Sequence, residues 1–145
     1  IMPVTAKAFS IMPKNALMAI ITDLNDAGTT VKCALYTDAA APTEGMADKS
    51  ALDGVCTEVA QAGEYTTGGK ALTTKAVTED ARVTKFDADS PEWADSTITA
   101  MYAVLYEGTE NLLIWIDFGE NKSSENGTFK IDFAEAGIFT ITVAE

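Results

Sequence analysis

Carboxylates are the side chains of this sequence with the most potential for chemistry. The 145 residues include 22 Asp and Glu against 10 Lys and Arg, and they include no histidine. A hard cation prefers carboxylate oxygens, and two acidic clusters offer them: Asp87, Asp89 and Glu92, then Asp117, Glu120 and Glu125. Scattered carboxylates are also normal on a protein surface. We therefore expect a solvated acidic rim and no metal site.

A glycine-rich stretch at residues 63–70, GEYTTGGK, resembles a phosphate-binding loop. That motif needs a lysine directly after its second glycine, and then a Ser or Thr whose hydroxyl holds magnesium. Gly69 stands where the lysine belongs, and Ala71 follows the displaced Lys70 in place of the hydroxyl. The stretch is therefore interpreted as a loop between strands.

The absence of histidine excludes the commonest catalytic sites, including Ser-His-Asp triads, Cys-His pairs and histidine-ligated metals. A carboxylate pair for glycoside hydrolysis stays open, because sequence spacing does not give the distance between two carboxyl groups. The net charge of -12 opposes contact with nucleic acid or an anionic membrane. Cys33 and Cys56 are too few for a disulfide framework, so free thiols are predicted. We expect no enzyme and no cofactor.

The spacing of apolar residues predicts a mainly β protein with one short helix near the N-terminus. The helix is predicted at residues 13–21, the first strand at 29–36, and an irregular excursion at 38–54 with a helical turn near 47–52. Short runs rich in β-branched and aromatic residues, separated by turn residues, follow at intervals typical of a β-sandwich. These predicted strands are residues 56–60, 71–78, 82–88, 97–107, 112–118, 128–133 and 138–143. The fold class is an antiparallel β-sandwich in a single domain, residues 1–145.

Two of these strands, residues 97–107 and 112–118, are more continuously apolar than alternating. Strands of this kind are covered on both faces or meet another subunit, and both interpretations stay open. Residues 107–111 fit a hairpin loop between them, and Asn126-Gly127 fits a second turn. Five aromatic side chains are predicted to lie in the core or in a subunit contact, with a sugar-binding platform as the alternative: Tyr65, Trp93, Tyr102, Tyr106 and Trp115.

Five segments, in this order along the chain, carry a resemblance to a known family. They are residues 29–37 (TTVKCALYT), 63–72 (GEYTTGGKAL), 93–106 (WADSTITAMYAVLY), 116–129 (IDFGENKSSENGTF) and 136–141 (AGIFTI). Together they resemble a family of small structural proteins of tailed bacteriophages, over nearly the whole chain from Ala6 to Ala144. Met101 departs from the pattern, since a basic residue is expected there, and residues 112–115 are more apolar than usual.

The resemblance implies a virion component made in the host cytoplasm, most plausibly a decoration (cement) protein on the capsid exterior. Its implied partners are the major capsid protein and further copies of itself, with no nucleic acid and no membrane. Residues 1–12 are the candidate capsid-facing arm. The candidate contact residues are Val4, Lys7, Phe9 and Ile11 in that arm, with Met101 and Trp115 on the apolar strands. A tail or neck protein and a carbohydrate-binding adhesion module are the alternatives.

Overall fold

The structure, a computed structural model, describes residues 5–144 and is mainly β, with 46% strand and 9% helix. The elements in chain order are β1 (Thr5–Ala8), α1 (Ile11–Leu17), β2 (Val31–Tyr36), α2 (Lys49–Asp53), β3 (Lys70–Ala71), β4 (Ala76–Asp80), β5 (Val83–Asp87), β6 (Glu92–Glu107), β7 (Asn111–Lys130) and β8 (Phe139–Thr142). They form a five-stranded sheet of order β1-β7-β6-β2-β3 and a three-stranded sheet of order β4-β5-β8. All the strand pairs are antiparallel. The predicted antiparallel β-sandwich with a short helix is confirmed.

The three central strands of the larger sheet are buried on both faces. In β6 the side chains of Ala103 and Leu105 belong to the core on one face, which we call the inner face. The alternating residues Val104 and Tyr106 belong to a second core on the opposite, outer face. Both apolar runs predicted from the sequence are therefore covered on both sides within this chain, which explains why their hydrophobicity does not alternate.

The inner face is covered by the three-stranded sheet and by α1. Phe86 of β5 and Ile138, just before β8, pack in the same core as Met12 of α1 and Ile114 of β7. The ring centroids of Phe86 and Phe139 are 5.3 Å apart. This distance lies within the range of about 4.5–7 Å that aromatic pairs prefer. The small sheet therefore forms the second layer of the sandwich.

The outer face is covered by the excursion that links β2 to β3. Met46, Leu52 of α2 and Cys56 pack there against the alternating side chains of β2 and β6. Asp48 caps α2 by accepting a hydrogen bond from the backbone N–H of Ala51 at 2.8 Å. The helical turn predicted near residues 47–52 is confirmed at Lys49–Asp53.

The structure has a helix where one was predicted, but it covers residues 11–17 and not residues 13–21. α1 starts at Ile11 and ends at Leu17, with Pro13 in its first turn, where a missing N–H costs no hydrogen bond. The backbone turns at Ala19, whose φ of 53° is incompatible with a continuing helix. The apolar residues beyond Leu17 therefore lie outside the helix.

Several predicted strand boundaries are also wrong. Residues 56–60 form only an isolated bridge, between Glu58 and Tyr36, because β3 occupies the adjacent part of the β2 edge. The strand predicted at residues 71–78 is split between β3 and β4, with the backbone reversing at Thr74 (φ 52°). The hairpin at residues 107–111 is confirmed. Asn126-Gly127 is an irregularity within the 20-residue strand β7 and not a turn between two strands.

The described part of the predicted N-terminal arm is built into the fold. β1 pairs with β7 from Thr5 opposite Asp117 to Ala8 opposite Ile114. Phe9 follows with no exposed surface, and its N–H donates to the carbonyl of Leu113 at 3.2 Å. Residues 5–8 are therefore a strand of the large sheet and Phe9 is part of the core, while a capsid-facing role of this segment stays a prediction.

Gly69 allows the glycine-rich loop to pass close to β2. It has a φ of +76°, and a Cβ placed on it would lie 2.0 Å from the carbonyl oxygen of Cys33. Gly108, in the β6–β7 hairpin, has a similar φ of +63°, but a Cβ there would meet no atom within 4 Å. The two glycines thus share a left-handed backbone and differ in the space around it.

We expect Gly69→Ala to destabilise the protein by about 1–3 kcal/mol more than Gly108→Ala, because only the first substitution adds overpacking to backbone strain. Chemical denaturation of the two variants and the wild type measures the difference. If both variants lose the same free energy of unfolding, residue 69 does not lie as close to β2 as the structure has it.

Candidate functional site

Three of the residues predicted to contact a partner come together on the outer face of the large sheet. Phe9 and Trp115 pack with ring centroids 4.7 Å apart, and both are buried, Trp115 being 5% exposed. The ammonium of Lys7 lies 5.9 Å from the centre of the Trp115 ring, within the range of a cation–π contact. Phe9 and Trp115 therefore form core, and only Lys7 of the three is exposed.

The other predicted contact residues are less buried. Ile11 and Met101 are partly exposed and pack at the margin of the same outer core. Val4 lies outside the described residues. Most of the described residues of the predicted set therefore lie in the outer hydrophobic core or at its margin, and few of them lie on an open surface.

A polar cluster lies beside this core, where α2 meets the sheet. The ammonium of Lys49, 9% exposed as a residue, lies 2.6 Å from Asp53 Oδ2 and 3.7 Å from Glu58 Oε2. It also lies 5.3 Å from the centre of the Tyr106 ring. Buried charges persist when they are paired and hydrogen-bonded, so this cluster fixes α2 against the strands.

Three tyrosines donate hydrogen bonds into the same cluster. Tyr36 donates to Asp53 Oδ1 at 2.6 Å, Tyr65 donates to Glu58 Oε1 at 2.8 Å, and Tyr106 donates to the carbonyl of Gly68 at 2.6 Å. Burial raises the pKa of all three phenols, with Asp53 and Glu58 as further causes, and it raises the pKa of Tyr106 to about 12. The three hydroxyls therefore stay protonated and act as hydrogen-bond donors that hold the fold together.

The raised pKa values predict a loss of stability in alkali. An unfolded tyrosine loses its proton near pH 10, whereas folded Tyr106 keeps it to about pH 12. Between about pH 10 and pH 12 the unfolded state binds fewer protons than the folded state. The free energy of unfolding therefore keeps its full value below about pH 10 and decreases as the pH rises to about 12. Tyr106→Phe should flatten this decline. Denaturation at stepped pH measures it, and a stability that stays level up to pH 12 would contradict the burial of these phenols.

The aromatic platform considered for sugar binding is contradicted, and the core interpretation is confirmed. Tyr65 and Trp93 are fully buried, and Tyr106, Trp115 and Tyr102 are exposed by 3%, 5% and 8%. A sugar could not stack on rings that are already covered by the protein's own side chains.

Members of both predicted acidic clusters make local contacts, including Asp117 with the backbone N–H of Gly119 and Glu120 with Lys122. Asp87 pairs with Lys85 at 3.7 Å, and Asp89 accepts hydrogen bonds from Thr73 and Thr74. Within residues 5–144, no group of three or more potential metal-ligating side chains converges. Cys33 and Cys56 are both free and buried, as predicted, and burial raises the pKa of both thiols. In the same part of the chain, no helix has the length and apolarity to span a membrane.

An open apolar pocket lies between α1 and the inner face of the small sheet. It has a volume of about 140 Å³ and is lined by Met12, Ala16, Ile21, Leu24, Val77, Thr84, Phe86, Leu113, Phe139 and Ile141. The pocket lies where α1 and the turn after it meet β4, β5, β7 and β8. Val77 is 39% exposed and Ile141 57% exposed, although both point toward the inner layer.

Two exposed apolar side chains of residues 5–144 line this pocket, and four more are close in sequence to residues that line it. Seven large apolar side chains are exposed in the described part of the chain. Six of them lie at the end of α1 or just after it, on the strands of the small sheet, or directly after β8: Leu17, Met18, Ile20, Val77, Ile141 and Val143. The seventh, Val55, follows α2 on the opposite side of the large sheet. We call the pocket and its six exposed side chains the uncovered apolar surface.

The sequence predicted a packed helix at residues 13–21 that includes two of these residues. Leu17 and Ile20 belong to the apolar spacing from which a buried helical face was expected, but the helix ends at Leu17, which is 90% exposed. The signal present in the sequence is the run 16–21, ALMAII, whose apolar residues exceed the single stripe that a half-buried helix needs. Exposed apolar surface beside a pocket is typical of sites that bind another macromolecule or a ligand.

Comparisons of the chain with protein families, with characterised proteins and with solved structures give no match.

Proposed function

We propose that this chain is a non-enzymatic structural protein of a tailed bacteriophage, a decoration protein that binds the outer surface of the assembled capsid. The observation that carries the proposal is the uncovered apolar surface, because side chains such as Leu17 and Ile141 have no cover in the single chain. Apolar surface at the rim of a pocket is a feature of protein-binding sites. The five-segment resemblance supports a virion protein as the partner.

The chemistry of the described residues also supports a binding role. The titratable cluster around Lys49 and Glu58 is saturated by internal hydrogen bonds and ion pairs, so it offers no open position for a substrate. The pocket itself is lined by apolar side chains and one threonine, Thr84. Such a lining has no general acid or base, so the hydroxyl of Thr84 has no partner in the lining to activate it as a nucleophile.

A decoration protein of this type stabilises the shell by mass action. A chain that binds the assembled capsid and not its dissociated subunits shifts the equilibrium toward the assembled state. Many equivalent contacts over the lattice strengthen each other through effective concentration. The chain needs no chemistry of its own for this activity.

Co-sedimentation with capsids that lack the protein tests the proposal. We expect the purified chain to pellet with such capsids at micromolar concentration, in hundreds of copies per particle, and to raise the temperature at which the shells dissociate. Capsids already carrying their full complement are the control and should bind no further chain. Failure to co-sediment would overturn the proposal, and a copy number that is a small multiple of three or six would assign the protein to the tail or neck.

A further inference from the structure

We propose that Asn126 is a site of spontaneous covalent modification, at which its side-chain amide reacts with the peptide nitrogen of Gly127 and is converted to a carboxylate. Asn126 differs from the other asparagines of the chain in the residue that follows it, in its place in a strand and in the freedom of its side chain. This reactivity belongs to the chain itself and does not depend on the proposed function.

The reaction needs only these two neighbouring residues and water. The peptide nitrogen of Gly127 loses its proton and attacks Cγ of Asn126. A C–N bond forms, the bond from Cγ to the amide nitrogen breaks, and ammonia leaves with the proton, so a succinimide ring remains. Water then opens the ring at one of its two C–N bonds. The product is aspartate if the new bond to Cγ breaks, and isoaspartate if the original peptide bond breaks.

Glycine is the residue that hinders this attack least. It has no Cβ to shield its nitrogen, and its backbone adopts conformations that other residues avoid. Asn126 is the one asparagine of the chain that precedes a glycine, because Asn15, Asn25, Asn111 and Asn121 precede Ala, Asp, Leu and Lys. The sequence therefore favours the reaction at residue 126 over the other four positions.

Asn126 lies in a β-bulge, where the regular pairing of β6 with β7 is interrupted. Glu125 and Asn126 on β7 lie opposite the single residue Thr97 on β6, between two positions that are paired. Two residues opposite one define a bulge, and the extra residue has no place in the ladder. The φ of Asn126 is 48°, in the left-handed region that asparagine adopts more often than most residues. Asn126 is therefore less constrained than a residue of a regular strand.

The side chain of Asn126 is also free to turn toward the next nitrogen. Asn126 is exposed, and its side-chain amide makes no hydrogen bond with any of residues 5–144. Of the other four asparagines, Asn15 is buried in α1. The remaining three are held by side-chain hydrogen bonds: Asn25 with the N–H of Val77 at 3.1 Å, Asn111 with Glu107 at 2.6 Å and Asn121 with Asp38 at 2.7 Å.

Either product changes the ribbon that β6 and β7 form at this place. Aspartate adds a carboxylate next to Glu125 and takes the formal net charge from -12 to -13. Isoaspartate also lengthens the backbone of β7 by one atom, because the chain then runs through the side-chain methylene. The next residue, Gly127, pairs with Ser96 and accepts a hydrogen bond from its buried hydroxyl at 3.2 Å. Isoaspartate therefore disturbs the register of this pair.

Mass spectrometry of the full chain, incubated in its folded state at mildly alkaline pH, tests the inference. We expect the wild type to gain one mass unit with time, and peptide mapping to place the change at residue 126 as a mixture of aspartate and isoaspartate. Gly127→Ala should slow the change at least about tenfold, because the added Cβ shields the attacking nitrogen. A Cβ on Gly127 would lie 3.6 Å from the carbonyl oxygen of Glu125, an ordinary contact, so this variant should fold like the wild type.

Asp53-Gly54 is the internal control, since an aspartate before a glycine also gives isoaspartate through a succinimide. The Asp53 carboxylate is held by Lys49 and by Tyr36, each at 2.6 Å, so we expect no isoaspartate there. The chain unfolded in denaturant is the positive control for the Asn-Gly pair.

A folded wild type that stays unmodified at residue 126 would overturn the inference, whether or not the unfolded chain reacts. Equally fast conversion of Asn121 would also overturn it, because the side chain of Asn121 is held and precedes a lysine. A Gly127→Ala variant that reacts as fast as the wild type would exclude the attack by the residue 127 nitrogen.

Discussion

The structure depends on covering both faces of the long hairpin formed by β6 and β7. Its central residues, such as Val104 and Leu105, belong to different cores on opposite faces, so neither face can be left to water. The other elements provide the two covers. The excursion with α2, together with Phe9, covers the outer face, while α1 and the small sheet cover the inner face. The cover of the inner face is incomplete, because a seven-residue helix is shorter than the sheet that it meets.

The sequence predicted those features that depend on local pattern. The hairpin at residues 107–111, the β2 strand and the burial of Trp93 follow from turn chemistry, alternation and hydrophobicity, and the structure has all three. The doubly buried strands were open to two interpretations, since an apolar run looks the same whether its own chain or another subunit covers it. Only the arrangement of the covering elements decides between them.

The candidate site could not be predicted because it depends on where an element ends. Leu17 and Ile21 have the same hydrophobicity and helical spacing, yet one is 90% exposed and the other 8%. The difference arises at Ala19, where a positive φ turns the chain away from the helix axis. Phe9 and Trp115 show the converse error, since a contact surface was expected where ring packing makes a closed core. Local pattern identifies apolar residues, and tertiary packing decides which of them stay available to a partner.

The central claim is that the side chains around the α1 pocket are covered by another polypeptide when the protein acts. Cryo-electron microscopy of capsids mixed with the chain tests this claim most directly, because it shows the protein and its neighbours together. The account predicts density on the outer shell in which Leu17 and Ile141 lie in a protein–protein contact. Density in which this surface faces solvent, or shells without added density, would contradict it.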